Sequence, residues 1–143
     1  YDIRFDRAVF LVKDKGRVVD AVGKSLSNQK PKWYRYGNIN SGFIINRKSD
    51  VIFVVEDCPS ASSVCSFVSA IALLGTSLLP QHIDKIKKYK KAIVALDKDA
   101  TSKACEMSRK LSQFVNTTVA FLSTDLKDLK DTERERFVRK YIN

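Results

Sequence analysis

Val51–Val55 and Ala92–Leu96 each run five residues without a polar side chain and end directly in acids. Short continuous runs of this kind, rich in Val and Ile, suit strands covered on both faces, because a strand with one wet face alternates apolar with polar. Around them the apolar spacing becomes helical. Ser60, a capping-type residue, leads into Val64, Phe67, Val68 and Ile71 at helical intervals. Ala70–Leu74 fits either the end of that helix or a further strand closed by Gly75. Gln81–Tyr89 predicts a short helix, and Asp99–Phe114 an amphipathic one with Ala100, Ala104, Met107, Leu111 and Phe114 on one face. Thr118–Leu122 predicts another strand, and Thr132–Ile142 a charged terminal helix. Alternation of strand and helix with short links implies an α/β fold with a parallel sheet flanked by helices.

Residues 1–49 read differently. They are basic, with β-type runs at Ala8–Val12, Arg17–Val22 and Phe43–Ile45. Lys15-Gly16 is a turn signal, so the first two runs predict a hairpin. The chain is therefore expected to hold a small basic β-rich subdomain over 1–49, followed by the α/β part over 50–143.

Charge narrows the partners. The 143 residues carry 26 Lys and Arg against 16 Asp and Glu, a net charge of +10. Such a field draws in polyanions, and nucleic acid or nucleotides come first among them. The apolar runs are too short to cross a bilayer, and no targeting peptide is visible, so membrane partners are not expected. Three cysteines without a CxxC pair, and His82 as the sole histidine, do not make a four-ligand zinc site. They fit a reducing, cytoplasmic setting. The chain begins at Tyr1 without Met, which reads as a domain cut from a longer protein. Lys85, Lys87, Lys88, Lys90 and Lys91 read as the solvated face of a helix.

The acids carry the chemistry. Ligands of open parallel sheets bind beyond the carboxyl ends of the strands. Val51–Val55 runs into Glu56-Asp57, Ala92–Leu96 into Asp97-Lys98-Asp99, and Thr118–Leu122 leads to Asp125, Asp128 and Asp131. Residues two apart on a strand point the same way, so Asp97 and Asp99 can face one site if strand geometry persists. Hard oxygen ligands suit Mg²⁺. Helix capping is the competing explanation; it fits Asp99 better than Glu56 or Asp97. Asp57 reads equally as a further ligand or as a partner of the next helix.

The sequence also resembles a family. Val51 to Glu56, followed by Ala95-Leu96-Asp97-Lys98-Asp99-Ala100, looks like the Toprim pattern of a strand-end glutamate and a later Asp-x-Asp. Ala70 to Ser77 and Lys127-Asp128-Leu129-Lys130-Asp131 resemble further segments of primase Toprim domains. Asp6 to Val12, Gly16 to Val19, Gly23 to Leu26 and Lys30 to Tyr34 follow the order of the basic subdomain that precedes Toprim in bacterial and phage primases.

The resemblance implies a Toprim-like fold and a nucleotidyltransferase that makes RNA primers on a single-stranded DNA template from ribonucleoside triphosphates, with a replicative helicase as partner, in a bacterial or phage-infected cell. It implies Glu56 as catalytic glutamate and metal ligand, and Asp97, Asp99 and Asp128 as ligands of Mg²⁺ or Mn²⁺. Arg7, Lys24 and Lys32 would face template or nucleotide phosphates. Trp33, Tyr34 and Tyr36 combine stacking surface with neighbouring charge, which suits single strands; packing of the small subdomain explains each of them equally well. The sequence departs from the family pattern in placing Asp57 where glycine is common, Ser60 where Asp is frequent and Lys24 where Arg is usual. A Toprim nuclease or topoisomerase-like enzyme, and a non-catalytic nucleic-acid-binding module, remain the alternatives.

Overall fold

The computed structural model describes residues 1–143. Strands β1 (Arg7–Asp14), β2 (Arg17–Ser25) and β3 (Trp33–Arg35) form a three-stranded antiparallel sheet. The expected hairpin is there, and its turn residues Lys15 and Gly16 both take positive φ, 47° and 77°. That is the primed turn whose twist matches the flanking strands. Strand β3 was not anticipated. It is three residues long, and its pairing with Val22–Lys24 comes from the partner strand rather than from an alternating pattern of its own.

The second sheet has the order β4-β6-β5-β7-β8, from β4 (Phe43–Ile45), β5 (Val51–Val55), β6 (Ser69–Ala72), β7 (Lys91–Val94) and β8 (Asn116–Val119). All its neighbours are parallel except β4 and β6. Phe43–Ile45, expected in the basic unit, instead forms the edge of this sheet, so the two sheets part before residue 43. Ala70–Leu74 resolves to a strand, with α1 (Cys58–Val64) ending early. Strand β8 lies two to three residues before its expected place, because as an edge strand its Thr-rich sequence lacks a full apolar run.

Helices α1 and α4 (Asp131–Ile142) cover one face, and α2 (Pro80–Ile86) and α3 (Thr101–Leu111) the other. Strand β5 explains why its run has no polar break. Val51, Phe53 and Val55 pack with Ala61, Val64 and Val138, whereas Ile52 and Val54 pack with Ile83, Ile86, Met107 and Leu111. Each fully buried aliphatic side chain of this kind contributes about 1.5–3 kcal/mol of transfer free energy. No helix is long and apolar enough to cross a membrane.

Several contacts tie the sheets together. Phe10 of β1 packs edge-on against Phe43 of β4, with ring centroids 5.7 Å apart. Asn40, in the link between the sheets, donates to the Leu73 carbonyl (3.0 Å), while its own carbonyl accepts from Gln81 Nε2 (2.9 Å). The Leu79 N–H donates to His82 Nδ1 (3.1 Å), which leaves the ring proton on Nε2 to be donated to Asn40 Oδ1 (3.2 Å). Gly42, at φ +78°, is needed here: a Cβ would lie 2.9 Å from Ile71 Cδ1 and 3.1 Å from the His82 ring.

Candidate active site

Strand β5 delivers Glu56 and Asp57 at its carboxyl end, and β7 leads through Ala95 and Leu96 to Asp97. The strand geometry does not persist to Asp99. A 3-10 turn over Lys98–Ala100 intervenes, with Asp97 at its start. The two-residue strand period therefore does not bring Asp97 and Asp99 together; the turn does, and both line one cavity with Glu56, Thr76, Ser102 and Lys103.

A second cavity, of about 460 Å³, lies between the two sheets. Glu56, Asp57, Asp97 and Lys127 form one wall, and Lys32, Trp33 and Arg35 of the antiparallel sheet form the other, with Leu74 and Gly75 between them. Glu56 and Asp97 are common to both cavities. Leu74 takes a positive φ of 60°, uncommon for a branched side chain, and Gly75 N–H donates to the Glu56 carbonyl (3.2 Å). The backbone bend that opens the cavity thus leans on the residue at its centre.

Charge is unevenly balanced among the acids. Burial pushes the Glu56 carboxyl above its usual range, and the negative charges of Asp97, Asp57 and Asp125 add to this against Lys127. Burial likewise raises Asp97 and outweighs its contact with Lys127. For Asp57 burial is overcome by hydrogen bonds from Lys127 and the Ser60 N–H, and the carboxyl is lowered. Lys127 is raised, because the two carboxylates outweigh its own desolvation. Its ammonium lies 2.8 Å from Asp57 and 3.1 Å from Asp97. One cation serving two acids leaves Asp57 ionised more readily than Asp97, which also faces Asp125.

Asp57, and not Ser60, is the cap of α1; its Oδ1 accepts from Ser60 N–H at 2.9 Å. Asp128 closes a 3-10 turn over Leu126–Asp128, in which Leu126 is buried and Lys127 lines the inter-sheet cavity. That turn leaves Asp128 exposed and lining neither cavity.

The basic residues separate into two groups. Lys32 and Trp33 line the inter-sheet cavity, and Lys24 lies with its ammonium 5.9 Å from the Trp33 ring centre. Arg7 is buried instead, 3% exposed, and donates to the carbonyls of Pro31 (2.8 Å) and Lys32 (3.4 Å). Its guanidinium fork is spent on shaping the loop that carries Lys32. Alternation along β3 sets Trp33 and Arg35 on the face toward the acids and Tyr34 on the opposite one, where it meets Tyr36 with ring centroids 5.1 Å apart. The three aromatics do not form one platform.

Sequence reasoning placed Arg35 only among the charges beside the aromatics and Lys127 only within the Lys-Asp-x-x-Asp segment, and gave neither a role of its own. Arg35 pairs at 2.5 Å with Asp20, whose side chain is fully buried. Asp20, set inside the otherwise apolar run Val18–Val22 of β2, was the available signal for Arg35, since a buried carboxylate requires a donor.

A basic three-stranded sheet facing carboxylates at the ends of a mostly parallel five-stranded sheet defines a Toprim-like α/β domain with an appended basic subdomain. More narrowly, the fold is that of DNA primase catalytic cores. A DNA primase domain from Pseudomonas aeruginosa matches with a TM-score of 0.74 at 23% identity, over 94% of this chain and 51% of that one. A DnaG primase catalytic domain bound to single-stranded DNA matches at 0.74 and 21% identity with the same coverage. The E. coli primase catalytic core matches at 0.67 and 24%, over 94% and 48%. This chain thus spans about half the length of these structures. Neither a family model nor a curated protein sequence matches it.

Proposed function

We propose that the chain is the nucleotidyltransferase core of a DNA primase, which joins ribonucleotides into primers on single-stranded DNA using Mg²⁺ or Mn²⁺. The observation that carries this reading is the inter-sheet cavity, in which Lys32, Trp33 and Arg35 face Glu56 and Asp97. Carboxylates alone repel a phosphate-bearing substrate; cations opposite them let it approach. The likeness to a primase domain bound to single-stranded DNA supports the choice of template.

Oxygen donors suit a hard divalent ion, but no three acids of the chain stand close enough together to hold one as they are placed, and the Lys103 ammonium donates to Thr76 Oγ1 (2.9 Å) among them. Glu56, Asp97 and Asp99 supply oxygens to one cavity, with the Thr76 and Ser102 hydroxyls beside them. Glu56 lines both cavities, as Asp97 does, and its raised pKa suits it to accept or return a proton. Lys32 and Arg35 bind phosphate oxygens, and Trp33 offers a stacking face to a base. Asp128 would serve only as an outer carboxylate at the rim, and Lys24 would orient Trp33. A replicative helicase would dock through parts of the protein outside this chain.

Incorporation of labelled ribonucleotides into short products on single-stranded DNA with Mg²⁺ or Mn²⁺, absent in Glu56→Gln, tests the reading. Metal-dependent nicking without primer synthesis would instead make the chain a Toprim nuclease, and DNA binding with neither activity would make it a binding module.

A further inference from the structure

On β2, Asp20 and Val22 point to one face, and Arg35 of β3 stands opposite Val22, diagonal to Asp20. Val22 and Arg35 line the inter-sheet cavity, whereas Asp20 does not and has a fully buried side chain. Both of its oxygens are taken: Oδ1 accepts from Ala21 N–H (2.7 Å) and Oδ2 from Arg35 Nη2 (2.5 Å). Gly37 lies so close to Oδ1 that even a Cβ there would come within 2.5 Å, so the carboxylate has no room to turn. Arg35 is 36% exposed, and its Nε and Nη1 groups donate to nothing in the chain. A guanidinium is a rigid planar fork, so holding one Nη2 fixes the direction of the remaining donors.

On the acidic wall, Glu56 meets the charges of Asp97, Asp57 and Asp125 with Lys127 against them, and Lys127 is already held by Asp57 and Asp97. A free guanidinium on the facing wall would be drawn to Glu56 and would fill the space between the walls. We propose that Asp20 is a positioning residue that tethers Arg35 to the basic wall, holding it off Glu56 and aiming its unused donors at phosphate oxygens of the substrate. The inference rests on the reading of the inter-sheet cavity as a phosphate-binding site, and it deepens that reading. Asp20 does not touch the substrate and acts only through Arg35.

Asp20→Asn separates this role from charge counting by the sign of its effect. The amide keeps the shape of the carboxylate but removes a negative charge from a chain that already carries +10, which by itself strengthens attraction to a polyanion. Release of Arg35 weakens it instead. Trp33 fluorescence, read without divalent metal, gives affinities for a single-stranded oligothymidylate and for a ribonucleoside triphosphate. Whichever ligand meets Arg35 should bind about 10-fold more weakly to Asp20→Asn and to Arg35→Ala, the loss of one charge-assisted contact. The double variant should bind it no more weakly than Arg35→Ala alone. If that ligand is the oligonucleotide, the slope of log affinity against log salt should also fall by about 0.7, as for one phosphate contact. Unchanged or tighter binding of both ligands by Asp20→Asn, shown folded by thermal melting, would overturn the tether. A double variant weaker than Arg35→Ala would overturn it too, since Asp20 would then act other than through Arg35. One measurement needs no Asp20 variant: the wild-type Arg35 Nε–H signal in NMR, assigned by its absence from Arg35→Ala, should shift as ligand is added, and a signal that stays put sinks the proposal. Wild type that binds neither ligand would remove the phosphate-binding reading of the cavity along with it.

Discussion

Arg35 reaches from the surface of β3 to the fully buried carboxylate of Asp20 on β2, 2.5 Å away. Asp20 also accepts from Ala21 N–H (2.7 Å), and Gly37 passes so close that a Cβ there would lie 2.5 Å from its oxygen. The pair sets where the only arginine of the inter-sheet cavity stands. Arg35→Ala leaves a buried charge without its strongest partner and is expected to cost about 2–3 kcal/mol, read by urea unfolding. Asp20→Asn should cost less, because Arg35 is partly exposed and can turn to water.

Trp33 is the sole tryptophan, so its fluorescence reports on the cavity directly. Single-stranded DNA or nucleotide should quench it. Trp33→Ala should weaken single-strand binding by about 1–3 kcal/mol, the usual contribution of one base–aromatic stack, in an anisotropy titration. Tyr34→Ala, on the opposite face, should change affinity little.

Glu56→Gln keeps the size of the side chain and removes a carboxylate that burial and like charges disfavour. Primer synthesis should fall at least 100-fold, the low end of what a proton-transfer group contributes. The variant should remain folded and melt no lower than wild type at neutral pH, a combination that circular dichroism and the activity assay separate cleanly.

His82 predicts an acid limb of stability. Burial, then the charges of Lys85 and Arg35, hold its pKa down to about 4 against an ordinary 6.5. In the folded chain the ring is neutral, and in the unfolded chain it binds a proton once the pH drops below 6.5. Its contribution is therefore complete above that value and is lost as pH falls toward 4, amounting to about 3 kcal/mol. Denaturation midpoints measured across this window should drop in wild type and drop less in His82→Gln. As the only histidine, its ring protons give the titration directly by NMR.

The central strands were legible because burial on both faces leaves no ambiguity: Val51–Val55 and most of Ala92–Leu96 are where their composition places them. Edges were harder. Phe43–Ile45 reads as a strand, but its partner β6 lies 25 or more residues on, and nothing local says to which sheet it belongs. Near the cavity beside α3, Glu56 and Asp97 lie at strand ends as expected, whereas Asp99 reaches it through the 3-10 turn and not through the strand period. Arg7 and Lys127 did not follow. A charged residue's sequence neighbours do not reveal whether it meets phosphate, carbonyls or a carboxylate 30 to 70 residues away.

The link that carries Asn40 is only a few residues long, and it is moored at Leu73, Gln81 and His82. It therefore works as a caliper. The gap between the cationic and the acidic wall is set by the connector from Arg35 to Asn40 together with the Phe10–Phe43 contact and the Lys85–Asp14 pair (3.6 Å). A residue added in the connector would work against those two contacts, so the width of the inter-sheet cavity is held at three separate points.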